Sequence, residues 1–107
     1  MNGREICLAK LDKTRPVVVL TRAAARPAMT KVTVAPITSR VKGLSSEVPV
    51  GRENGLDQAG AISLDNVVTV PAVLLGRTVG YLSAAQERRL AIAMVLAYDL
   101  DIPLLTD

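Results

Sequence analysis

The side chains with the most chemistry in this 107-residue sequence are its thirteen cations, nine Arg and four Lys, set against ten carboxylates. A guanidinium offers a rigid fork of N–H donors that grips two phosphate oxygens at once, so the bias toward Arg favours phosphate recognition. Residues 1–52 hold ten basic and three acidic residues, a net +7, whereas residues 53–107 hold three and seven, a net −4. Clustered cations of this kind point to a face that meets a polyanion such as nucleic acid, although an overall charge of +3 also serves solubility. The residue types that are missing narrow the chemistry further. With no His and a single Cys, Cys7, the chain has no intrachain disulfide framework, no Cys/His zinc site and no Ser-His-Asp triad. Asp12, Asp57 and Asp65 are scattered, without a paired-carboxylate motif that would hold Mg²⁺, so neither a metal nor another cofactor is expected. A lone thiol suits a reducing compartment and places the protein in the cytoplasm.

Elements that could position these groups follow from patterning. Half the residues are apolar, with a mean hydropathy of +0.32, which fits one domain over 1–107. The longest apolar run, Leu90–Tyr98, is about half of the ~20 residues that cross a bilayer, and the N-terminus lacks an apolar h-region, so neither a membrane span nor a secretory signal is expected. Strands are predicted at Glu5–Leu11 and Pro16–Thr21, the second a continuous β-branched run of the kind buried on both faces. A third covers Lys31–Thr38, with Pro36 confining part of it to an edge or bulge. Residues 23–27 read as a brief helical turn or loop stopped by Pro27. Four of the seven glycines fall in 43–60, a loop-rich and mobile stretch with one short strand near Glu47–Val50.

Alternation returns over Ala61–Val70 as a strand or a bent pair of strands, and Val73–Gly76 reads as a helical turn closed by Gly76. Ser83 and Gln86 form a capping box, so a helix runs from about Ala84 to Leu100, ended by Asp101-Ile102-Pro103. Its second half is apolar all round. A domain this small covers one side of a helix, so the other side is expected to meet a second copy in a homodimer. Short strands plus one terminal helix describe a mainly β fold, a small, strongly bent sheet or barrel.

The order of segments resembles the MazF/PemK/Kid family of type II toxin–antitoxin ribonucleases over nearly the whole chain. Gly3–Ile6 looks like the opening strand of that family, with Cys7 where an aromatic often follows. Thr14-Arg-Pro-Val-Val-Val-Leu20 looks like its Arg-Pro-Val strand, and Thr33-Val-Ala-Pro-Ile-Thr-Ser39 like its third-strand signature. Gly60–Asp65 with Val68–Val70 is similar to its later strand, and Leu75–Ser83 to the approach to its C-terminal helix. The resemblance implies a small SH3-like barrel of the CcdB/PemK type and a homodimer. It implies sequence-specific, metal-independent cleavage of single-stranded RNA, in which the ribose 2′-OH attacks the adjacent phosphorus to leave 2′,3′-cyclic phosphate and 5′-OH ends. A further implied partner is a cognate antitoxin whose acidic, flexible tail lies across the RNA groove.

Carried over by motif, Arg15 is the main catalytic candidate, a guanidinium that stabilises the charge gathered on the phosphorane. Thr38 and Ser39 supply hydroxyls that could donate to the scissile phosphate. Asp65 matches a proposed general base of the Kid-like branch, but that branch's flanking Arg is Ser63 here, its later Arg-Thr pair reads Val68-Thr69, and its His is absent. Arg22, Arg26, Arg40, Lys42 and Arg52 sit in predicted loops of the basic half and are the expected contacts to the RNA backbone. With no Phe or Trp, and Tyr81 and Tyr98 as the only aromatics, base recognition must rest on Arg planes and polar edges. Two alternatives stand beside this reading. A CcdB-like gyrase poison shares the fold, but it lacks support from a C-terminal Trp; a non-catalytic RNA- or protein-binding barrel would use nearly the same residues.

Overall fold

The computed structural model describes residues 3–101 as seven strands and one α-helix. In chain order these are β1 (Glu5–Lys10), β2 (Thr14–Val19), β3 (Lys31–Thr38), β4 (Glu47–Val50), β5 (Gly60–Ser63), β6 (Val68–Pro71), β7 (Leu75–Tyr81) and α1 (Ala84–Ala97). The sheet order is β4-β5-β3-β2-β1-β7, with β6 also paired to β3, and every pairing is antiparallel. A mainly β half-barrel with a C-terminal helix is the result, as the patterning predicts.

The long strand β3 bends the sheet. On one edge it pairs with β2; on the other it pairs with β6 through Lys31–Val34 and then with β5 through Ile37 and Thr38. Pro36 falls where that second edge changes partner, so its missing N–H leaves no ladder bond unmade. The valine run of β2 is buried throughout for the reason its composition suggests. Val18 packs with Ile6, Ala35, Ile62 and Leu64 under the helix, while Val17 and Val19 pack with Cys7, Ala9, Val32 and Val34 on the opposite face. Each such burial contributes about 1.5–3 kcal/mol before chain entropy is set against it.

Several boundaries differ from the sequence reading. The helix stops at Ala97, because Asp99 takes a left-handed backbone (φ 53°) and the Leu100 N–H returns to the Val95 carbonyl at 3.0 Å, a Schellman-type closure. Ile102 and Pro103, expected to end it, lie outside the described residues. Gly76 does not close a turn; it lies within β7, whose pairing with β1 across two register shifts supplies the order that its own alternation lacks. Pro27 does not stop a turn either, since it sits inside a short 3-10 turn at Arg26–Ala28. The Ser83–Gln86 capping box forms in both directions, at 2.9 and 3.1 Å.

The 43–60 stretch is tied down rather than loose. The buried Glu47 carboxylate accepts from the N–H groups of Lys42, Gly43 and Leu44, and the buried Asn54 amide bonds Gly51, Tyr81 and Gln86. On α1, Leu90 and Ala93 are buried and Met94 and Ala97 pack beside them, whereas Leu96 and, just beyond, Tyr98 and Leu100 remain about half exposed. Among the described residues no helix is long and apolar enough to cross a membrane.

Candidate nucleic-acid cleft

At the open end of the half-barrel lies a cleft of about 600 Å³. Leu8, Pro16, Ile37 and Val79 form its apolar floor, and Lys13, Arg15, Thr38, Ser39, Arg40, Arg77 and the Gly55–Gly60 loop form its rim. The β2–β3 pairing ends at Val17↔Pro36, with Arg15 two residues before it on β2 and Thr38 two residues after it on β3, so both line the cleft although more than twenty positions of chain separate them. Leu8 pairs with Pro16, and Ile37 lies just past the last β2–β3 pair, which gives the floor.

Arg15 is held by its own hairpin. Its Nε and Nη2 donate to the two carboxylate oxygens of Asp12, each at 3.1 Å, leaving three of its five N–H bonds for other acceptors. That hydrogen-bonded pair, with its opposite charges, raises the Arg15 pKa; the same bonds, helped by the Lys13 N–H, hold Asp12 below the usual carboxylate value. Thr38 Oγ1 accepts the Arg40 N–H at 3.0 Å, so the hydroxyl is fixed in place while its proton remains available to an anion. Among the described residues, four cations line the cleft against one carboxylate, Asp57.

Of the residues singled out by sequence, Arg15, Thr38, Ser39 and Arg40 come together here. Others do not. Asp65 follows the far end of β5 from Gly60, is exposed, and accepts a hydrogen bond from the Ser46 hydroxyl. Arg22 and Arg26 follow the far end of β2 from Arg15, and Arg26 is committed to Glu5 at 2.7 Å. Lys42 and Arg52 are exposed but outside the cleft lining. Conversely, the sequence pattern does not single out Lys13, Arg77 or the 55–60 loop, which the fold brings to the cleft. Lys13 shares a tight turn with Arg15, a signal available in the sequence; Arg77 was hidden because β7 reads as a connection to the helix.

The fold and site thus define a β half-barrel with a cationic cleft suited to an anionic polymer. Known proteins place it more closely. The family described as PemK-like, MazF-like toxin of type II toxin-antitoxin system matches residues 4–96. Endoribonuclease MazF3 of Mycobacterium tuberculosis is 55% identical over 98 residues, which cover 92% of this chain and 95% of that protein. The solved structure of the Mycobacterium tuberculosis toxin MazF-mt6 superposes with a TM-score of 0.90 at 55% identity, covering 92% of this chain and 100% of that one. An endoribonuclease from Mycobacterial species, solved in complex with its cognate antitoxin, superposes with a TM-score of 0.85 over 96% of this chain and 99% of that one; at 19% identity this is a likeness of fold. The chain belongs to the PemK-like, MazF-like family of type II toxins.

Proposed function

We propose that this toxin-family endoribonuclease cuts a single RNA strand laid across the cleft, by attack of the ribose 2′-OH on the adjacent phosphorus. The O2′–P bond forms as the P–O5′ bond breaks; the 2′-OH loses its proton and the 5′-oxygen gains one, leaving a 2′,3′-cyclic phosphate and a 5′-OH. The observation that carries this reading is the convergence of Arg15 and Thr38 at one cleft from two separate strands. Arg15 exchanges Asp12 for the scissile phosphate and stabilises the charge that grows on the phosphorane, and the Thr38 hydroxyl donates to a non-bridging oxygen. Because the nucleophile belongs to the substrate, no Ser or Cys nucleophile is needed.

Lys13, Ser39, Arg40 and Arg77 position neighbouring phosphates. Asp65 lies outside the cleft, so the reading rests on Arg15 and Thr38. Metal independence is part of the proposal. The protein acts in the cytoplasm as a homodimer that buries the outer face of α1. Its cognate antitoxin lays an acidic, flexible tail over the same cleft, a partnership supported by the antitoxin complex of the structural neighbour.

The test is incubation with mixed single-stranded RNA in EDTA, beside copies carrying a 2′-deoxy ribose at each cleaved position. Cutting of the all-ribose strand alone, with cyclic-phosphate ends, is expected. Cutting of both, or a requirement for added metal, overturns the mechanism; tight binding without cutting would mean a barrel that only holds RNA.

A further inference from the structure

We propose that Asp57, carried with Gln58 on the Gly55–Gly60 loop, selects one base of the bound strand, accepting a base with an exocyclic amino group and rejecting uracil. This inference rests on the reading of the cleft as an RNA site.

A carboxylate is out of place in a cleft built only for phosphates. Lys13, Arg15, Arg40 and Arg77 attract the backbone, and Asp57 on the same rim repels it. Nor is Asp57 spent in neutralising those cations. Asp12 takes Arg15, while among the described residues neither Asp57 nor Gln58 makes a side-chain hydrogen bond or ion pair. Both side chains are exposed in the cleft and free for a ligand. No aromatic ring lines the cleft, so bases are not read there by stacking on aromatic side chains.

The loop is also held at both ends, which a reading element requires and a solvent loop does not. Gly55 has φ +88°, and a Cβ there would sit 2.3 Å from the Val79 carbonyl oxygen; at Gly80 one would sit 2.0 Å from that of Asn54. Backbone therefore lies directly on backbone where the start of the loop packs against β7. The buried Asn54 locks this end, donating to the Tyr81 carbonyl at 2.9 Å and to Gln86 Oε1 at 2.7 Å. At the other end, a Cβ on Gly60 would sit 2.6 Å from the Thr38 carbonyl oxygen. Asp57 is three residues from Gly60, hence within about 11 Å of it by chain length, the scale of one or two nucleotides from a phosphate at Thr38.

Hydrogen-bond chemistry sets the preference. An ionised carboxylate only accepts, and the amino groups of cytosine, adenine and guanine donate. Uracil meets it with an N3–H flanked by two carbonyl oxygens, which leaves acceptors facing acceptors. Such a contact gives a preference of about 10- to 100-fold at one position of the strand.

Wild-type protein and Asp57→Asn would be given random-sequence single-stranded RNA and the cut ends sequenced. Binding of 2′-deoxy strands that differ at the identified position would be measured alongside. The wild type should show one position depleted of uracil, and Asp57→Asn, whose amide also donates, should admit uracil there while leaving other positions unchanged. An identical base distribution in the variant overturns the proposal. So does a uniform rate loss on every sequence, which would make Asp57 a general base. If the wild type cuts nothing, the cleavage reading falls and the binding series decides: a uracil penalty lost in Asp57→Asn sustains base selection, and equal binding of all four bases ends it.

Discussion

Two arginines, Arg15 near the start of β2 and Arg26 in the turn beyond its end, are each bonded to a carboxylate, and they differ in what that bond is for. Arg15 meets Asp12 three residues away, on side chains 37% and 72% exposed, with both bonds at 3.1 Å. Arg26 meets Glu5 across 21 residues of chain at 2.7 Å, on side chains 30% and 20% exposed, and Glu5 also accepts from the Thr78 hydroxyl. The first pair is local and wet, so a phosphate can replace its carboxylate at little loss. The second ties the 22–28 loop to β1 and β7, and opening it strands partly buried charge. An arginine's availability for substrate therefore depends on the burial and sequence distance of its partner, not on the presence of one.

The largest effect that would break this contrast is on catalysis. Arg15→Ala should lower cleavage by about 10²–10³-fold or more while leaving the melting temperature within a few degrees; Arg26→Ala should leave the cleavage rate nearly intact. Comparable rate losses in both variants would erase the distinction. Thr38→Val keeps the strand shape and removes the hydroxyl, and should lower kcat by about 10- to 100-fold, the worth of a hydrogen bond to a charged group.

Stability should report the opposite ranking. Arg26→Ala is expected to destabilise by about 1 kcal/mol in denaturant melts, after allowance for solvent screening, and Arg15→Ala by none that can be measured. Acid should act through the same pair. Burial opposes ionisation of Glu5, but hydrogen bonds from Thr78 and Arg26 and the Arg26 charge outweigh it and hold its carboxyl below the ordinary value. A lowered pKa contributes stability that is complete above the unfolded value, about 4.3, and is lost as pH falls through the folded one. Melts from pH 6 to pH 3 should therefore show a loss below about pH 4 that is smaller in Arg26→Ala. The smallest effect expected is that of Asp12→Asn, which removes the competitor for Arg15 and should tighten RNA binding by no more than about fivefold at low salt, vanishing at high salt. Weaker binding instead would make Asp12 a group that aims Arg15 rather than one that competes with phosphate.

Much of the site was legible before the fold, and the gaps have physical causes. Arg15 and Thr38 lie in strand motifs that mark the family, and β2, β3 and β4 announce themselves by β-branched runs and alternation. Strand β7 did not, because its glycines and register shifts blur the alternation, and with it Arg77 was missed. Asp65 and Arg26 have the right chemistry in the wrong places, since Ser46 and Glu5, both distant in sequence, engage them.

The amino-acid order by itself determined what is local: strand-forming runs, the Ser83–Gln86 helix start, and the separation of a basic half from an acidic one. Family membership is also written there, in short motifs at fixed order. Only the tertiary structure decided which four of the thirteen cations share a cleft and which carboxylates join them. That choice depends on the register between strands and on the close approach of glycine backbones, both set by contacts between residues far apart in the chain.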